Sequence, residues 1–118
     1  MRKAFAILAG AAVFGTLALG MTAEAAKGPT PAQQKTLASC AMCHDLTSAK
    51  ANKMGPPLFG VVGAKPIMSG VPYKKWDKKA LDEFLKDPSA VKEDTTMPVN
   101  VEDAKERAAV IKALEGLK

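Results

Sequence analysis

The sequence predicts an all-α domain of about three main helices joined by long loops. Three stretches begin with a helix-capping residue and then place apolar side chains at helical spacing. Between them lie stretches rich in proline and glycine, which a regular helix does not tolerate. No stretch alternates apolar and polar residues as a half-buried strand does.

The first predicted helix runs from Pro31 into the pentapeptide Cys40-Ala41-Met42-Cys43-His44. Thr30 is its expected N-cap, Pro31 occupies the first helical position, and Gln33 completes a capping box. Its expected packing positions are Ala32, Leu37 and Ala38.

The second and third predicted helices lie in the C-terminal half. The second covers Lys78–Lys86, with Asp77 as its N-cap and Pro88 as its stop, and its apolar residues share one face: Leu81, Phe84 and Leu85. The third covers Val101–Leu117 with Asn100 as N-cap, and its apolar stripe consists of Ala104, Ala108, Ile111 and Leu114. Residues 55–72 and 88–100 are predicted to be irregular.

Residues 1–25 have the pattern of a secretory signal peptide. Arg2 and Lys3 precede an apolar run, and Ala23-Glu24-Ala25 places small residues where a signal peptidase cuts. The run falls short of the ~20 strongly apolar residues that a membrane span needs. We expect cleavage after Ala25, one domain of residues 26–118, a periplasmic location and no stable membrane insertion after processing. An uncleaved membrane anchor is the alternative, which the mass of the mature protein would reveal.

Cys40, Cys43 and His44 form a Cys-x-x-Cys-His motif, the attachment signature of c-type haem. Residues three apart lie on one face of a helical turn, so both thiols can reach the same edge of a porphyrin. His44 is the only histidine, and is therefore the only candidate imidazole ligand for the iron. Two alternatives fit less well, because a redox disulfide expects a βαβ surround and a zinc site needs four ligands.

The chain offers little aromatic filling for a core. After the leader its aromatic residues are Phe59, Tyr73, Trp76 and Phe84. A domain of this size is near the limit at which a single core is sufficient. We therefore expect one covalently bound haem c to supply apolar volume, and the haem-free chain to be poorly folded.

Several motifs together resemble those of the small single-haem class I c-type cytochromes, the family that includes mitochondrial cytochrome c. The haem motif follows the first helix, and Gly55-Pro56-Pro57-Leu58-Phe59-Gly60 resembles the family's Gly-Pro-x-Leu-x-Gly loop. Trp76 leads into a helix that ends before a proline, and a Thr-x-Met loop and a final helix follow. The resemblance implies the class I cytochrome c fold, with long loops wrapped around the haem.

The resemblance also implies a role for each residue of the site. The two cysteines would carry thioethers to the haem, and His44 would be the proximal ligand. The Pro56 carbonyl would accept the other ring N–H of that imidazole. Trp76 and Thr95 would donate to a haem propionate, and Met97 would be the distal ligand.

Three other methionines follow the leader and have to be compared with Met97. Met42 lies within the haem motif and cannot reach the opposite face of the haem. Met54 precedes the loop that should support His44, which places it on the proximal side. Met68 lies in a loop without assigned structure, and it remains the competitor.

A haem with His44 and Met97 at both axial positions has no open iron site. The expected function is therefore one-electron transfer and not catalysis. One alternative is a haem-based ligand sensor or enzyme in which the Met97 bond yields to a small ligand. Another is a subunit of a larger oxidoreductase.

Basic residues next to Trp76 suggest the kind of partner. The chain has a net charge of +5, and its densest basic cluster consists of Lys74, Lys75, Lys78 and Lys79. Around an exposed haem edge, such a cluster would attract redox proteins with acidic docking surfaces. We expect no nucleic-acid partner, because the charge excess is modest, and we expect a monomer.

Overall fold

The computed structural model describes residues 27–118, so the predicted leader and its cleavage site lie outside the described residues. The described chain contains five helices and no strand: α1 (Pro31–Thr36), α2 (Ala38–Ala41), α3 (Lys78–Lys86), α4 (Pro88–Val91) and α5 (Ala104–Glu115). The predicted all-α class is confirmed. Among these residues, no helix has the length and apolar character needed to span a bilayer.

Side chains cap α1 and α3 as predicted. At α1 the Gln33 backbone N–H donates to Thr30 Oγ1 at 3.3 Å, and the Thr30 N–H donates to Gln33 Oε1 at 2.8 Å. At α3 the Ala80 N–H donates to Asp77 Oδ1 at 2.8 Å. Both starts are confirmed, and in both a side-chain oxygen accepts from an N–H that has no partner within the helix.

The predicted helix from Pro31 into the haem motif is interrupted at Leu37, between α1 and α2. The Thr36 hydroxyl donates back to the Ala32 carbonyl at 3.1 Å, a bond that tends to bend helices, and Leu37 has a ψ of 17°. The Leu37 side chain is 0% exposed, whereas Ala32 and Ala38 are exposed. The two alanines were therefore wrong as packing positions, and Leu37 is the residue that anchors this segment.

The last helix begins three residues later than predicted. Asp103, and not Asn100, is its N-cap, accepting from two backbone N–H groups of the first turn at 2.7 and 3.4 Å. Val101 lies outside the helix because its N–H donates to the Leu85 carbonyl of α3 at 2.7 Å. A bond between distant segments thus overrides the local capping preference.

The buried face of α5 also differs from the predicted stripe. The buried residues of the helix are Arg107, Val110, Ile111, Ala113 and Leu114. Ile111 and Leu114 are confirmed, but Ala104 and Ala108 are exposed. The helix buries Val110 in preference to these alanines because a larger apolar side chain gains more from leaving water.

Pro88 both follows the end of α3 and begins a further helix. Residues 88–100 were predicted to be irregular, which is wrong for α4. Asp87 Oδ1 accepts from the Ala90 N–H at 3.2 Å, and Pro88 occupies the first helical position, where its missing N–H costs nothing. The remaining residues up to Asp103 form neither helix nor strand.

One apolar cluster joins these elements. Helix α3 packs against α4 and α5, and α1 packs against α2 and α5. The buried apolar residues are Leu37, Leu46, Trp76, Ala80, Leu81, Phe84, Leu85, Val110, Ile111, Ala113, Leu114 and Leu117. Because Leu37 and Leu46 flank the Cys-x-x-Cys-His motif, the core holds that motif from both ends.

Candidate functional site

Cys40, Cys43 and His44 lie on one continuous turn at the end of α2. The Cys43 and His44 N–H groups donate to the Cys40 carbonyl at 3.1 and 2.9 Å, which extends the helical path beyond Ala41. Both thiols are free and half-buried. This turn, residues 40–44, is called the attachment turn. It therefore holds two thiols and one imidazole close together, and the two cysteines do not form a disulfide with each other.

The environment of Cys40 is unlike that of a redox cysteine. Burial raises the pKa of its thiol, and a hydrogen bond with the Ser39 side chain offsets only part of that effect. Thiol–disulfide exchange and zinc binding both use the thiolate, which a low pKa favours. The apolar surroundings of Cys40 therefore favour neither of these alternatives.

A glycine–proline loop holds the His44 ring. Its Nδ1 lies 2.5 Å from the Pro56 carbonyl oxygen, and because a carbonyl only accepts, the hydrogen must be on Nδ1. The Gly55 N–H donates to the Cys43 carbonyl at 2.8 Å, and a Cβ on Gly55 would collide with the ring. Glycine is thus required for this close approach, and Nε2 is left as a free lone-pair donor.

Asp45 organises the loop between His44 and Pro56. Its buried carboxylate accepts from the Thr47 N–H and hydroxyl, both at 2.9 Å, and from the Ala51 N–H at 2.8 Å. These hydrogen bonds, that from Ala51 above all, hold the pKa of Asp45 below its ordinary value. The Asp45 carbonyl also accepts from the Leu58 N–H at 2.9 Å. Asp45 was not among the predicted site residues, although Asp-x-Thr after a helix is a common turn-forming pattern.

Trp76 is buried in an aromatic row. Its ring centroid lies 5.4 Å from that of Tyr73 and 5.1 Å from that of Phe84, the second pair in an edge-to-face arrangement. Thr95 is half-buried, and its hydroxyl oxygen accepts from the Met97 N–H at 3.2 Å. That bond leaves the Thr95 hydroxyl hydrogen available. The roles of Trp76 and Thr95 toward a propionate remain predictions.

Tyr73, the only tyrosine, is expected to titrate far above neutral pH. Its hydroxyl donates to Glu83 Oε2 at 3.1 Å, and burial together with this carboxylate raises its pKa to about 12. Because the unfolded value is about 10, the associated stability is complete below pH 10 and is lost as pH rises toward 12. NMR of protein labelled with ¹³C at tyrosine Cζ reads this single titration. Glu83→Gln should lower the pKa part of the way toward 10, and a wild-type pKa of 10 would contradict the prediction.

The methionines fall into two groups by exposure. Met42 and Met54 are 80% and 87% exposed, whereas Met68 and Met97 are half-buried and pack against the core cluster. Their partial burial suits Met97 or Met68 better than the other two as an iron ligand, and the choice of Met97 stays a prediction. Met97 stands in the irregular segment between α4 and α5.

Half-buried apolar side chains from several segments pack against the core. They come from the attachment turn, the glycine–proline loop and the segments near Met68 and Met97, and comprise Cys40, Ala41, Leu58, Phe59, Val61, Val62, Met68, Val71, Tyr73, Val91 and Met97. Their remaining exposure would be covered by an apolar group lying among these loops. Two thiols, an imidazole with a free Nε2 and a half-buried thioether form a donor set that suits a haem. The residues present therefore fit the cofactor predicted from the sequence.

An all-α fold with Cys-x-x-Cys-His at the end of its N-terminal helical segment has the architecture of a c-type cytochrome. No family model matches the chain. Cytochrome c-550 of Novispirillum itersonii is 30% identical over 115 residues, covering 80% of this chain and 99% of that protein. Cytochromes c2 of Pararhodospirillum photometricum and Rhodospirillum rubrum are 38% and 39% identical over 63 and 61 residues. These two matches cover 43% and 52% of this chain and only 56% and 43% of the relatives, about half of their length.

Solved structures agree with these relatives. Cytochrome cH from Methylobacterium extorquens has a TM-score of 0.59 at 30% identity, covering 75% of this chain and 98% of that one. Ferricytochrome c2 from Rhodopseudomonas palustris has a TM-score of 0.57 at 26% identity, covering 76% and 99%. The chain belongs to the class I cytochrome c family. Both the predicted family and its fold are confirmed.

Proposed function

We propose that this protein is a soluble periplasmic one-electron carrier. It holds one haem c through thioethers at Cys40 and Cys43, with His44 and Met97 as the axial ligands. The single observation that carries the proposal is the turn on which both thiols and the imidazole lie together, with His44 Nδ1 committed to the Pro56 carbonyl. That hydrogen bond leaves Nε2 free, so it would be the ring nitrogen that binds the haem iron.

The residues around the turn determine how firmly the imidazole is held. Gly55 packs on the ring, the Pro56 carbonyl fixes its tautomer, and Asp45 ties down the loop that carries both. A hydrogen bond to the second ring nitrogen raises ligand basicity and restricts ring rotation. When bound, the haem supplies a reversible Fe(II)/Fe(III) couple, and the apolar lining keeps water away from it.

The proposal is tested by the absorption spectra of the oxidised and reduced periplasmic protein. Bands of a low-spin c-type haem that survive acid–acetone extraction would show covalent attachment and occupied axial positions. The reduced protein should not bind carbon monoxide at neutral pH. Rapid binding of carbon monoxide would contradict six-coordinate iron and support the alternative of a ligand sensor or enzyme.

Location and assembly form part of the proposal. The mature protein should begin at Ala26, so a retained Met1 in its mass would contradict export with cleavage. We propose a monomer that diffuses between partners. Elution of the native protein with a larger oxidoreductase on size exclusion would instead favour the subunit alternative.

The proposed partners are redox proteins with acidic docking surfaces. All four lysines of the basic cluster next to Trp76 are exposed, and Lys78 also forms a surface ion pair with Glu115 at 3.4 Å. Electron transfer to an acidic partner should slow as ionic strength rises, because salt screens the attraction. At low salt, electron transfer from the Lys74→Glu variant to this partner should be slower than from the wild type. Lys35→Glu, which lies outside the cluster, serves as the control. A rate independent of ionic strength would refute this docking mode.

A further inference from the structure

Arg107 is the one buried basic side chain among the described residues. It is 6% exposed, and its guanidinium makes three contacts in two directions. Nε donates to Asp82 Oδ1 at 2.8 Å, on α3. Nη1 donates to the carbonyls of Val101 at 3.0 Å and Glu102 at 2.6 Å, which lie just before α5. The charge is thus paired. The arginine joins α3 to Val101 and Glu102, which follow the Met97 loop (residues 92–100).

A further bond fastens the same segment to α3. The Val101 N–H donates to the Leu85 carbonyl at 2.7 Å, so Val101 is held through both of its backbone polar groups. Met97 lies four residues earlier, a distance that an extended chain spans in at most about 14 Å. In the described structure the backbone of residues 98–100 makes no hydrogen bond. Because Val101 is fixed to α3, the four-residue connection limits how far Met97 can move away from α3.

The N-terminal side of the loop leaves α4, which packs against α3, and the Lys92 N–H donates to the Pro88 carbonyl of α4 at 2.8 Å. The Thr95 N–H donates to the Lys92 carbonyl at 3.0 Å, and the Met97 N–H donates to Thr95 Oγ1 at 3.2 Å. These two bonds shape the turn, and the half-buried Met97 side chain packs against the core cluster. Among the described residues, the hydrogen bonds that join residues 92–102 to α3 are made through Val101 and Arg107.

We propose that Arg107 is a positioning residue for Met97. Arg107 clamps Val101 and Glu102 to α3. This clamp keeps the Met97 thioether in the position from which it binds the iron. The inference rests on the proposed function, because it takes Met97 as the distal ligand. Arg107 acts by restricting the loop, which raises the effective concentration of the thioether at its site.

A competing ligand measures this restriction directly. When imidazole binds to the oxidised holoprotein, the iron–sulfur bond to Met97 breaks and an iron–nitrogen bond forms, with no change in oxidation state. The sulfur-to-iron band at long wavelength disappears as this exchange proceeds. If the Met97 loop is less restricted, imidazole displaces the Met97 thioether at a lower concentration.

Arg107→Lys is the informative substitution. Lysine keeps the charge but has no planar fork, so it cannot hold the Asp82 carboxylate and both carbonyls together. We expect imidazole to bind about tenfold more tightly, which corresponds to about 1.4 kcal/mol. Asp82→Asn, which leaves the arginine in place, should shift the affinity in the same direction by less, and it keeps the test open if the lysine variant does not fold.

Val110→Ala is the matched control. Val110 is buried on the same helix, so its truncation lowers overall stability without touching the clamp. Its imidazole affinity should equal that of the wild type. An equal increase in this control, or an affinity within about twofold of wild type in both clamp variants, would overturn the positioning role.

A wrong assignment of Met97 as the ligand gives a different result from a wrong assignment of Arg107 as its positioning residue. If the long-wavelength band survives in Met97→Ala with Arg107 intact, Met97 is not the ligand, and both proposals fall together. If Met97→Ala removes the band while the clamp variants bind imidazole like the wild type, the ligand assignment holds and the positioning role alone is refuted.

Discussion

Replacing Cys40 and Cys43 together with alanine should abolish covalent haem attachment. These are the only two cysteines of the chain, so no other thiol can take their place. The double variant should show no haem staining on a denaturing gel. It should also fold poorly, because the half-buried apolar side chains around the attachment turn lose the group that would cover them. Far-ultraviolet circular dichroism should show reduced helix and no cooperative melt.

Met42→Ala is the control for that experiment. Met42 lies between the two cysteines, but its side chain is 80% exposed and belongs to neither the core nor the donor set. The variant should retain covalent haem and a cooperative melt. A haem-free double-cysteine variant with native helix content and a sharp melt would show that the core is sufficient without the cofactor.

Met97→Ala should remove the sulfur-to-iron band of the oxidised protein and lower the reduction potential. Thioether ligation favours the reduced iron, so its loss favours the oxidised state. The reduced variant should also bind carbon monoxide, because one axial position becomes open. Spectra, a potentiometric titration and carbon monoxide binding measure these three effects on the same sample.

Met68→Ala provides the comparison for Met97→Ala. Both side chains are half-buried against the same cluster, so the two truncations remove similar packing. Met68→Ala should keep the band and should not bind carbon monoxide. Loss of the band in Met68→Ala, with its retention in Met97→Ala, would reverse the assignment of the distal ligand.

Helix starts show where local sequence is sufficient for prediction. Thr30 and Asp77 cap their helices as predicted, because a cap depends on residues within one turn. Asn100 and Asp103 are equally suitable caps by residue type. The choice between them is made by the bond from Val101 to Leu85, which joins segments far apart in the chain. No pattern within one turn contains that information.

In the candidate site, too, some contacts follow from local sequence patterns and others only from tertiary structure. The Cys-x-x-Cys-His motif and the glycine–proline loop are local patterns, and the contact between His44 and Pro56 lies where the family resemblance implied it. Arg107 was not among the predicted site residues. Its burial depends on Asp82 and on two carbonyls that are brought together only by tertiary structure. A charged residue in a helical pattern predicts an exposed position, which is wrong here.

The packing of α1 against α5 bears on the order in which the holoprotein is made. Helix α1 has six residues, too few for a stable helix by itself. Its contact with α5 joins Gln33 to Ala113, 80 positions later, and so closes nearly the whole domain into one loop. The attachment turn follows α2 and so lies within the loop that this contact closes. Because closing so long a loop costs entropy and the haem-free chain should fold poorly, we expect the thioethers to form before α1 and α5 meet.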